Sequence, residues 1–307
     1  MTEARVLITG AGGFVGNAIA AGLIRLGWQV CALDRVFDAP ARARLAGAQL
    51  VSADLATAAL SGLPRAEVVI HAAALTTGPG TLGITAAEHV RRNMAPLLAA
   101  LDLATGMVPR AFVFLSSTGV FAPGDGDPDL TDASVPTATG PYSAAKRAGE
   151  VLVPSALPSD TAPHVVRLGH VCGLAETARP TRQRLSALAA MVAAARAGRP
   201  VPVPAPDPLR DWTVAEDLGP ALARLVAGPA AGRVLHLGGP HRLTDGALAA
   251  RIAARVPGVR IELQPPSADA SAPKPPMRPS AIPALEGFAW TRPEDVIDAL
   301  CAAEVAA

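Results

Sequence analysis

Arg5-Val6-Leu7-Ile8-Thr9-Gly10-Ala11-Gly12-Gly13-Phe14-Val15-Gly16 is the stretch whose reading decides the fold. A short run of β-branched and leucine side chains gives way to glycines at 10, 13 and 16. An apolar-periodic segment then continues to Leu26. The pattern is strand, glycine turn, helix. The spacing is Gly-x-x-Gly-x-x-Gly, not the more familiar Gly-x-Gly-x-x-Gly, but the physics is shared. Such a turn is tight, lets the backbone approach a pyrophosphate, and aims a helix N-terminus at negative charge.

The following segments repeat the alternation. A second strand, Gln29 to Leu33, ends in Asp34, where a carboxylate can hydrogen-bond an adenosine ribose. Asp34 would repel a ribose 2′-phosphate and so favours NAD over NADP, whereas Arg35 beside it is suited to the opposite partner. Strand-like runs recur at Gln49 to Ser52, leading to Asp54-Leu55, and at Glu67 to His71, leading to Ala72-Ala73-Ala74. They recur again at Arg110 to Ser116 and His164 to Leu168, and a helical stretch spans about Thr85 to Ala104. Strands alternating with helices on this scale predict an α/β fold of Rossmann type, a doubly wound parallel sheet. His71, at the end of a buried strand, is read as structural, with the alanines after it leaving room for a cofactor. Asn93 is read as a polar anchor within its helix.

Tyr142-Ser143-Ala144-Ala145-Lys146 carries the chemistry. Side chains four apart on a helix share a face. A unit charge about 4 Å from a phenol is worth about 4 kcal/mol at an effective dielectric of about 20, enough to draw a tyrosine towards a pKa of about 7. Tyr142 is then suited to act as a general base. It is the only tyrosine of the chain, and of 27 basic residues only Lys146 and Lys274 are lysines.

Composition limits the rest. The 307 residues are 50% hydrophobic with a net charge of +1, enough for a sizeable core and no electrostatic case for nucleic acid or an anionic membrane. The longest apolar helical run, Leu185 to Ala197, is too short to span a bilayer. The amino terminus lacks a signal-peptide pattern. Cys31, Cys172 and Cys301 are widely spaced, which suggests neither a disulfide framework nor a metal site. A cytoplasmic protein is expected. Beyond residue 170 the alternation changes. Arg182 to Gly198 reads as helix, Pro200 to Pro208 as proline-dense, and Arg210-Asp211-Trp212 leads to a helix. Arg233 to Leu237 reads as strand, Leu243 to Val256 as helix, Pro265 to Pro283 as loop, and Pro293 to Ala303 as a last helix. The expected division is a dinucleotide domain over 1–170 and a smaller α/β substrate lobe over 171–307, some segments of which return to the first.

Taken in order, Thr9 with the three glycines, Asp34, Asp54-Leu55, His71-Ala72-Ala73, Asn93, Ser116-Ser117, Tyr142 to Lys146, and Arg210-Asp211-Trp212 with Asp217 resemble an extended short-chain dehydrogenase/reductase of the NAD-dependent epimerase/dehydratase group. The resemblance implies a cofactor site at Gly10, Gly13, Phe14, Val15, Gly16, Asp34, Arg35, Asp54, Leu55, Ala72, Ala73, Ala74, Asn93, Tyr142 and Lys146. It implies Ser117 as catalytic hydroxyl, Tyr142 as the proton-transfer group, and Lys146 as the cation that holds the nicotinamide ribose and lowers the tyrosine pKa. Thr76, Thr77, Thr118, His170 and Arg210 are candidates for the substrate, with Arg278 a further anion ligand.

Departures narrow the activity. Dehydratases of the group carry Asp-Glu after a catalytic threonine, where this chain has Thr118-Gly119, so elimination of water is disfavoured. Nucleotide-sugar enzymes of the group usually have an asparagine before a Tyr-Gly-Pro segment, and here His170 and Cys172 occupy the corresponding stretch. The expected activity is NAD-dependent oxidation or reduction at a secondary hydroxyl of a sugar, sugar acid or similar polar substrate. The alternatives are a nucleotide-sugar epimerase with tightly held NAD and a non-catalytic dinucleotide sensor. The alanine-rich helices near 93–104 and 141–153 suggest a homodimer.

Overall fold

The computed structural model describes residues 5–58, 60, 62–176, 185–265 and 273–302. The strands are β1 (Arg5–Thr9), β2 (Gln29–Asp34), β3 (Gln49–Ser52), β4 (Val68–His71), β5 (Ala111–Ser117), β6 (Ala162–Leu168), β7 (His170–Cys172), β8 (Val201–Pro204), β9 (Leu209–Val214), β10 (Leu235–Leu237), β11 (His241–Thr244) and β12 (Ile261–Gln264). The helices are α1 (Phe14–Arg25), α2 (Ala39–Arg44), α3 (Pro79–Leu82), α4 (Ala86–Met107), α5 (Pro141–Ala156), α6 (Ala187–Arg196), α7 (Ala215–Leu225), α8 (Asp245–Ala253) and α9 (Pro293–Ala302).

Seven parallel strands form the main sheet in the order β10-β6-β5-β4-β1-β2-β3. The direction of winding reverses between β1 and β4, and a crevice opens there beyond the strand ends. Strands such as Val68-Val69-Ile70 are buried throughout, as a sheet covered on both faces requires. One face packs Ile19, Leu23, Leu218 and Leu222 from α1 and α7; the other packs Leu97, Leu101 and Val153 from α4 and α5. Helix α7 lies close on α1 because Gly22 faces Gly219, and a Cβ at 219 would sit 2.7 Å from the Ile19 carbonyl oxygen. Thus α7 and β10, though late in the sequence, are built into the first body.

The remaining elements surround a second core of Trp212, Leu188, Met191, Leu248, Ile252 and Ile297. A three-stranded sheet, β11-β9-β7, and the parallel pair β12-β8 carry α6, α8 and α9. Several sequence expectations shift here. The helix expected from Leu243 starts at Asp245: Leu243 and Thr244 extend β11, and the Thr244 hydroxyl caps the helix by accepting from the Ala247 N–H. The helix expected from Arg182 starts at Ala187, with Ser186 as its cap. Arg182 itself, 266–272 of the proline-rich loop and Ala303 lie outside the described residues. The proline-dense stretch contains a strand, β8, tolerated because among the described residues it pairs with β12 alone.

Helix α5 begins with Pro141 at its first turn, where the missing N–H is no loss. Its contact with β5 is set by Gly149, since a Cβ there would overlap the Phe114 ring and approach Leu97. The next residue, Glu150, forms a buried two-pronged ion pair with Arg167 of β6 (2.7 and 2.6 Å) and accepts from the Ser116 hydroxyl at 2.6 Å. Every polar atom of that carboxylate is therefore matched inside the core. Gly149→Ala is expected to lower the free energy of unfolding by about 1–3 kcal/mol, the usual penalty of overpacking. Urea titration read by fluorescence checks this.

Candidate active site

Three glycines shape one wall of the crevice. Gly10 has φ +73°, and a Cβ on it would overlap the main chain of Ala73; a Cβ on Gly16 would overlap the Gly10 carbonyl. The β1–α1 turn therefore closes directly onto the residues after β4. Gly13 precedes α1, whose first turn has neither a side-chain cap nor an acidic residue, so the positive end of the helix dipole favours an anion there. Behind the loop, Asp34 accepts from the N–H of Gly12 at 2.9 Å and of Arg35 at 2.6 Å. Burial pushes its carboxyl above the usual range, opposed by those N–H groups and that of Val36. The Arg35 guanidinium lies 4.0 Å from Asp54. A glycine-rich cradle, a helix start without a side-chain cap and a carboxylate at the β2 tip together fit the pyrophosphate and adenosine ribose of NAD.

A cleft of about 350 Å³ joins this wall to the ends of β5 and β6. Gly10, Gly13, Phe14, Val15 and Gly16 line it on one side, with Ala72, Ala74 and Thr76. Ser117, Tyr142 and Lys146 line the other, together with Leu115, Ser116, Leu168, Gly169 and Val171. Residues from separate stretches of sequence thus meet in one space.

Ser117 has two functions in the fold. Its Oγ accepts the Gly119 N–H at 3.0 Å, capping a 3₁₀ turn over Thr118–Val120. That contact uses a lone pair and leaves the hydroxyl proton free to point into the cleft. Gly119 lies against the tyrosine ring, since a Cβ there would come 3.0 Å from Tyr142 Cε1. Lys146 is 5% exposed. Its ammonium donates to the Leu115 carbonyl at 2.7 Å and lies 4.9 Å from the centre of the Phe114 ring and 5.9 Å from that of Tyr142. The amine therefore flanks the tyrosine ring, tethered to the sheet. Burial pushes it down to about 8, against the pull of Glu150. His71 is pinned by Thr9 Oγ1 at 2.9 Å and stacked on Phe114; burial and the Lys146 charge bring it down to about 3, so it stays neutral.

Other predicted residues take up supporting positions. Asn93 accepts from the Leu75 N–H at 2.9 Å and donates to the Leu75 carbonyl at 3.3 Å, fixing the loop that presents Ala72, Ala74 and Thr76. Ala73 backs Gly10. Leu55 is buried in the apolar cluster beside β2, and Asp54 accepts from the Ala56 N–H; neither lines the cleft, nor do Thr77 and Thr118, although Thr118 directly follows Ser117, which does. The Thr77 carbonyl receives His89 Nε2 at 3.0 Å.

His170 and Arg210 line a second, larger cavity of about 940 Å³ between α6, β8 and β12, with Arg199 and Gln264 among its walls. Arg210 is tied two-pronged to Asp245 (2.7 and 2.8 Å) and reaches His170 Nε2 at 3.0 Å. It therefore binds β9 to α8 within the second lobe. Arg278 and Arg242 pair with Asp129 across the lobes, at 2.7 and 2.8 Å, and hold that carboxyl below its usual range. The sequence reading missed the Glu150 pair, although Glu150 follows Lys146 by four residues on the same helix face. Among the described residues no cluster of His, Cys, Asp or Glu is placed to hold a metal ion, and no helix is long and apolar enough to cross a membrane.

Several solved structures of nucleotide-sugar enzymes share this fold. UDP-glucose 4-epimerase of Thermotoga maritima superposes with a TM-score of 0.79 at 18% identity, covering 97% of each chain. The UDP-N-acetylglucosamine 4-epimerase of Methanobrevibacter ruminantium, solved with UDP-N-acetylmuramic acid, gives 0.80 at 18% identity over 98% of each chain. UDP-glucuronic acid 4-epimerase of Bacillus cereus, solved with UDP-glucuronic acid and NAD, gives 0.78 at 17% identity over 97% of this chain and 98% of that one. At these identities the likeness concerns the fold. No curated protein sequence matches the chain. The profile of the NAD dependent epimerase/dehydratase family matches residues 6–238, from the start of β1 to just past β10. Joined with the glycine cradle and the Ser117–Tyr142–Lys146 cleft, that match means that the chain belongs to the NAD dependent epimerase/dehydratase family.

Proposed function

We propose that the protein binds NAD in the crevice between β1 and β4 and catalyses oxidation and reduction at a secondary hydroxyl of a sugar. The observation that carries this reading is the convergence of Ser117, Tyr142 and Lys146 with the glycine cradle in one cleft. When bound, NAD supplies acceptance of a hydride from the carbon that bears the hydroxyl. The protein's own residues manage the proton. Tyr142 removes it from the hydroxyl, Ser117 donates a hydrogen bond to the oxygen as negative charge develops, and the Lys146 ammonium stabilises the phenolate form of the tyrosine. Asp34 binds the adenosine ribose, and its charge selects NAD over NADP, with Arg35 turned to Asp54.

The second cavity favours a substrate with a nucleotide handle. Its arginines, glutamine and small apolar walls suit a nucleoside and phosphate groups, beyond a sugar held near Tyr142. The net reaction we favour on that account is epimerisation, in which NAD is returned to its starting state; a dehydrogenase would release NADH. The three free cysteines fit a reducing cytoplasm. Exposed Leu98 on α4 and Val151 on α5, 49% and 71% accessible, support a homodimer formed through those helices.

Two outcomes follow. Incubated with NAD and a panel of UDP-sugars, the protein is expected to interconvert hydroxyl stereochemistry without net NADH, and Tyr142→Phe to lose about 10²–10⁴-fold in turnover while NAD affinity is nearly retained. Product stereochemistry, absorbance at the NADH band and NAD titration are the measurements; a variant with wild-type rates would remove Tyr142 from the mechanism.

The second outcome concerns stability. A lysine drawn from 10.5 to about 8 destabilises the folded state by on the order of 3 kcal/mol wherever both states are protonated, that is below about pH 8. Between about 8 and 10.5 the unfolded chain holds a proton that the folded one has lost, so stability rises with pH. Lys146→Met is expected to raise Tm by several degrees at pH 7 while abolishing turnover, and the stability gain should shrink as pH approaches 10.5. Thermal scans across that range check the sign.

A further inference from the structure

The second of the chain's two lysines plays no part in the chemistry above. Lys274 lies at the start of a segment held firmly against both lobes. Leu130 donates to the Pro276 carbonyl at 3.0 Å, Arg278 donates to the Leu130 carbonyl at 2.8 Å, and the buried Met277 donates to Asp211 Oδ1 at 3.1 Å. Pro275 and Pro276 stiffen the link back to Lys274. From there the side chain reaches across the active-site turn: its ammonium lies 3.4 Å from the carbonyl oxygen of Thr118. Thr118 is the residue between Ser117, which lines the cleft, and Gly119, which lies against the Tyr142 ring.

Among the described residues no carboxylate comes within 4 Å of the Lys274 ammonium. Asp125 acts on it only at longer range and is itself occupied by the N–H groups of Ala122 and Thr137 and by the Thr137 hydroxyl. Burial pushes the amine down from its ordinary value, which is the mark of a cation partly stripped of water. An ammonium has three donors, and one long contact to a neutral carbonyl leaves most of that capacity unused. Every lysine or arginine ion pair of the described residues is made by arginine, so a structural tie here would be expected to use arginine too.

We infer that Lys274 binds a carboxylate carried by the sugar ring of the substrate, close to the hydroxyl that Tyr142 deprotonates, and so selects uronic-acid sugars over neutral ones. This rests on the sugar chemistry proposed above. The diphosphate of a nucleotide sugar is the other anion on offer, and it is common to charged and neutral sugars, so the two sources separate experimentally.

The test uses the NAD-loaded enzyme with UDP-glucuronate and UDP-glucose, which differ at the carboxylate and share the diphosphate. Lys274→Met is expected to lower the ratio of kcat/KM for UDP-glucuronate over UDP-glucose by about 10- to 100-fold, mainly through KM, as loss of one charge-assisted hydrogen bond would. Lys274→Arg should restore much of the ratio. An unchanged ratio, whether through equal losses on both sugars or none on either, overturns the assignment and leaves the sugar chemistry standing. A second readout needs no turnover. Lys146 is buried, so brief acetylation at pH 8 mapped by peptide mass should mark Lys274 among the lysines, and UDP-glucuronate should protect it several-fold more than UDP-glucose. Equal protection, or none, overturns the assignment. If neither sugar nucleotide is turned over while glucuronate alone still protects Lys274, the proposed reaction falls and the carboxylate site stands.

Discussion

The absence of a side chain at Gly149 governs the active site. With no Cβ to meet the Phe114 ring, α5 lies directly on β5, and the Lys146 amine reaches the Leu115 carbonyl at the end of that strand. From that tether follow the position of the tyrosine ring beside the amine, and of Ser117, two residues beyond Leu115, across from it. A helix displaced outward would keep its amphipathic pattern and lose the reach of its lysine.

The same helix carries a line of charge into the core. Tyr142, Lys146 and Glu150 succeed one another at intervals of four, and Glu150 is matched by Arg167 from β6, whose guanidinium also stacks 4.7 Å from the Phe121 ring. A cation and an anion in sequence on one buried face moderate each other: Glu150 draws the lysine towards its charged form while burial opposes it. Such arrangements destabilise a fold locally and are retained where chemistry needs them. The mechanism proposed above, which uses a charged amine in a dry cleft, gives that reason here.

How much of this was legible in the sequence depends on whether the signal is local. The glycine turn, Asp34 and the Tyr142–Lys146 pair were readable because the chemistry fixes both residue type and spacing. Secondary structure at Leu243 and Thr244 was misplaced because a β-branched cap looks helical in a window that continues into α8, while its pairing with β9 lies far away in sequence. Strand β12, Ile261-Glu262-Leu263-Gln264, alternates apolar and polar side chains, but over only four residues, all exposed, between a helix and a proline-rich stretch. The orientation of the Lys146 amine towards a carbonyl, Arg210 towards Asp245, and Arg278 towards Asp129 are tertiary choices among several partners that the chain offers. Asn93 was placed as an anchor correctly in kind, but its partner, the Leu75 main chain, is set by how α4 crosses the end of β4.

The late strand β10 affects how the protein is made. It completes the main sheet beside β6, yet the chain between Leu168 and Leu235 first makes α7 and half of the second lobe, β7, α6, β8 and β9. At ribosomal speeds of about 5–20 residues per second, β6 therefore waits roughly 3–14 s with its outer edge unpaired. During that interval its Val165-Val166 centre, later buried, forms a strand edge open to other nascent chains. Translation rate and chaperone access over this span thus bear on the yield of a protein whose finished form gives no sign of the exposure.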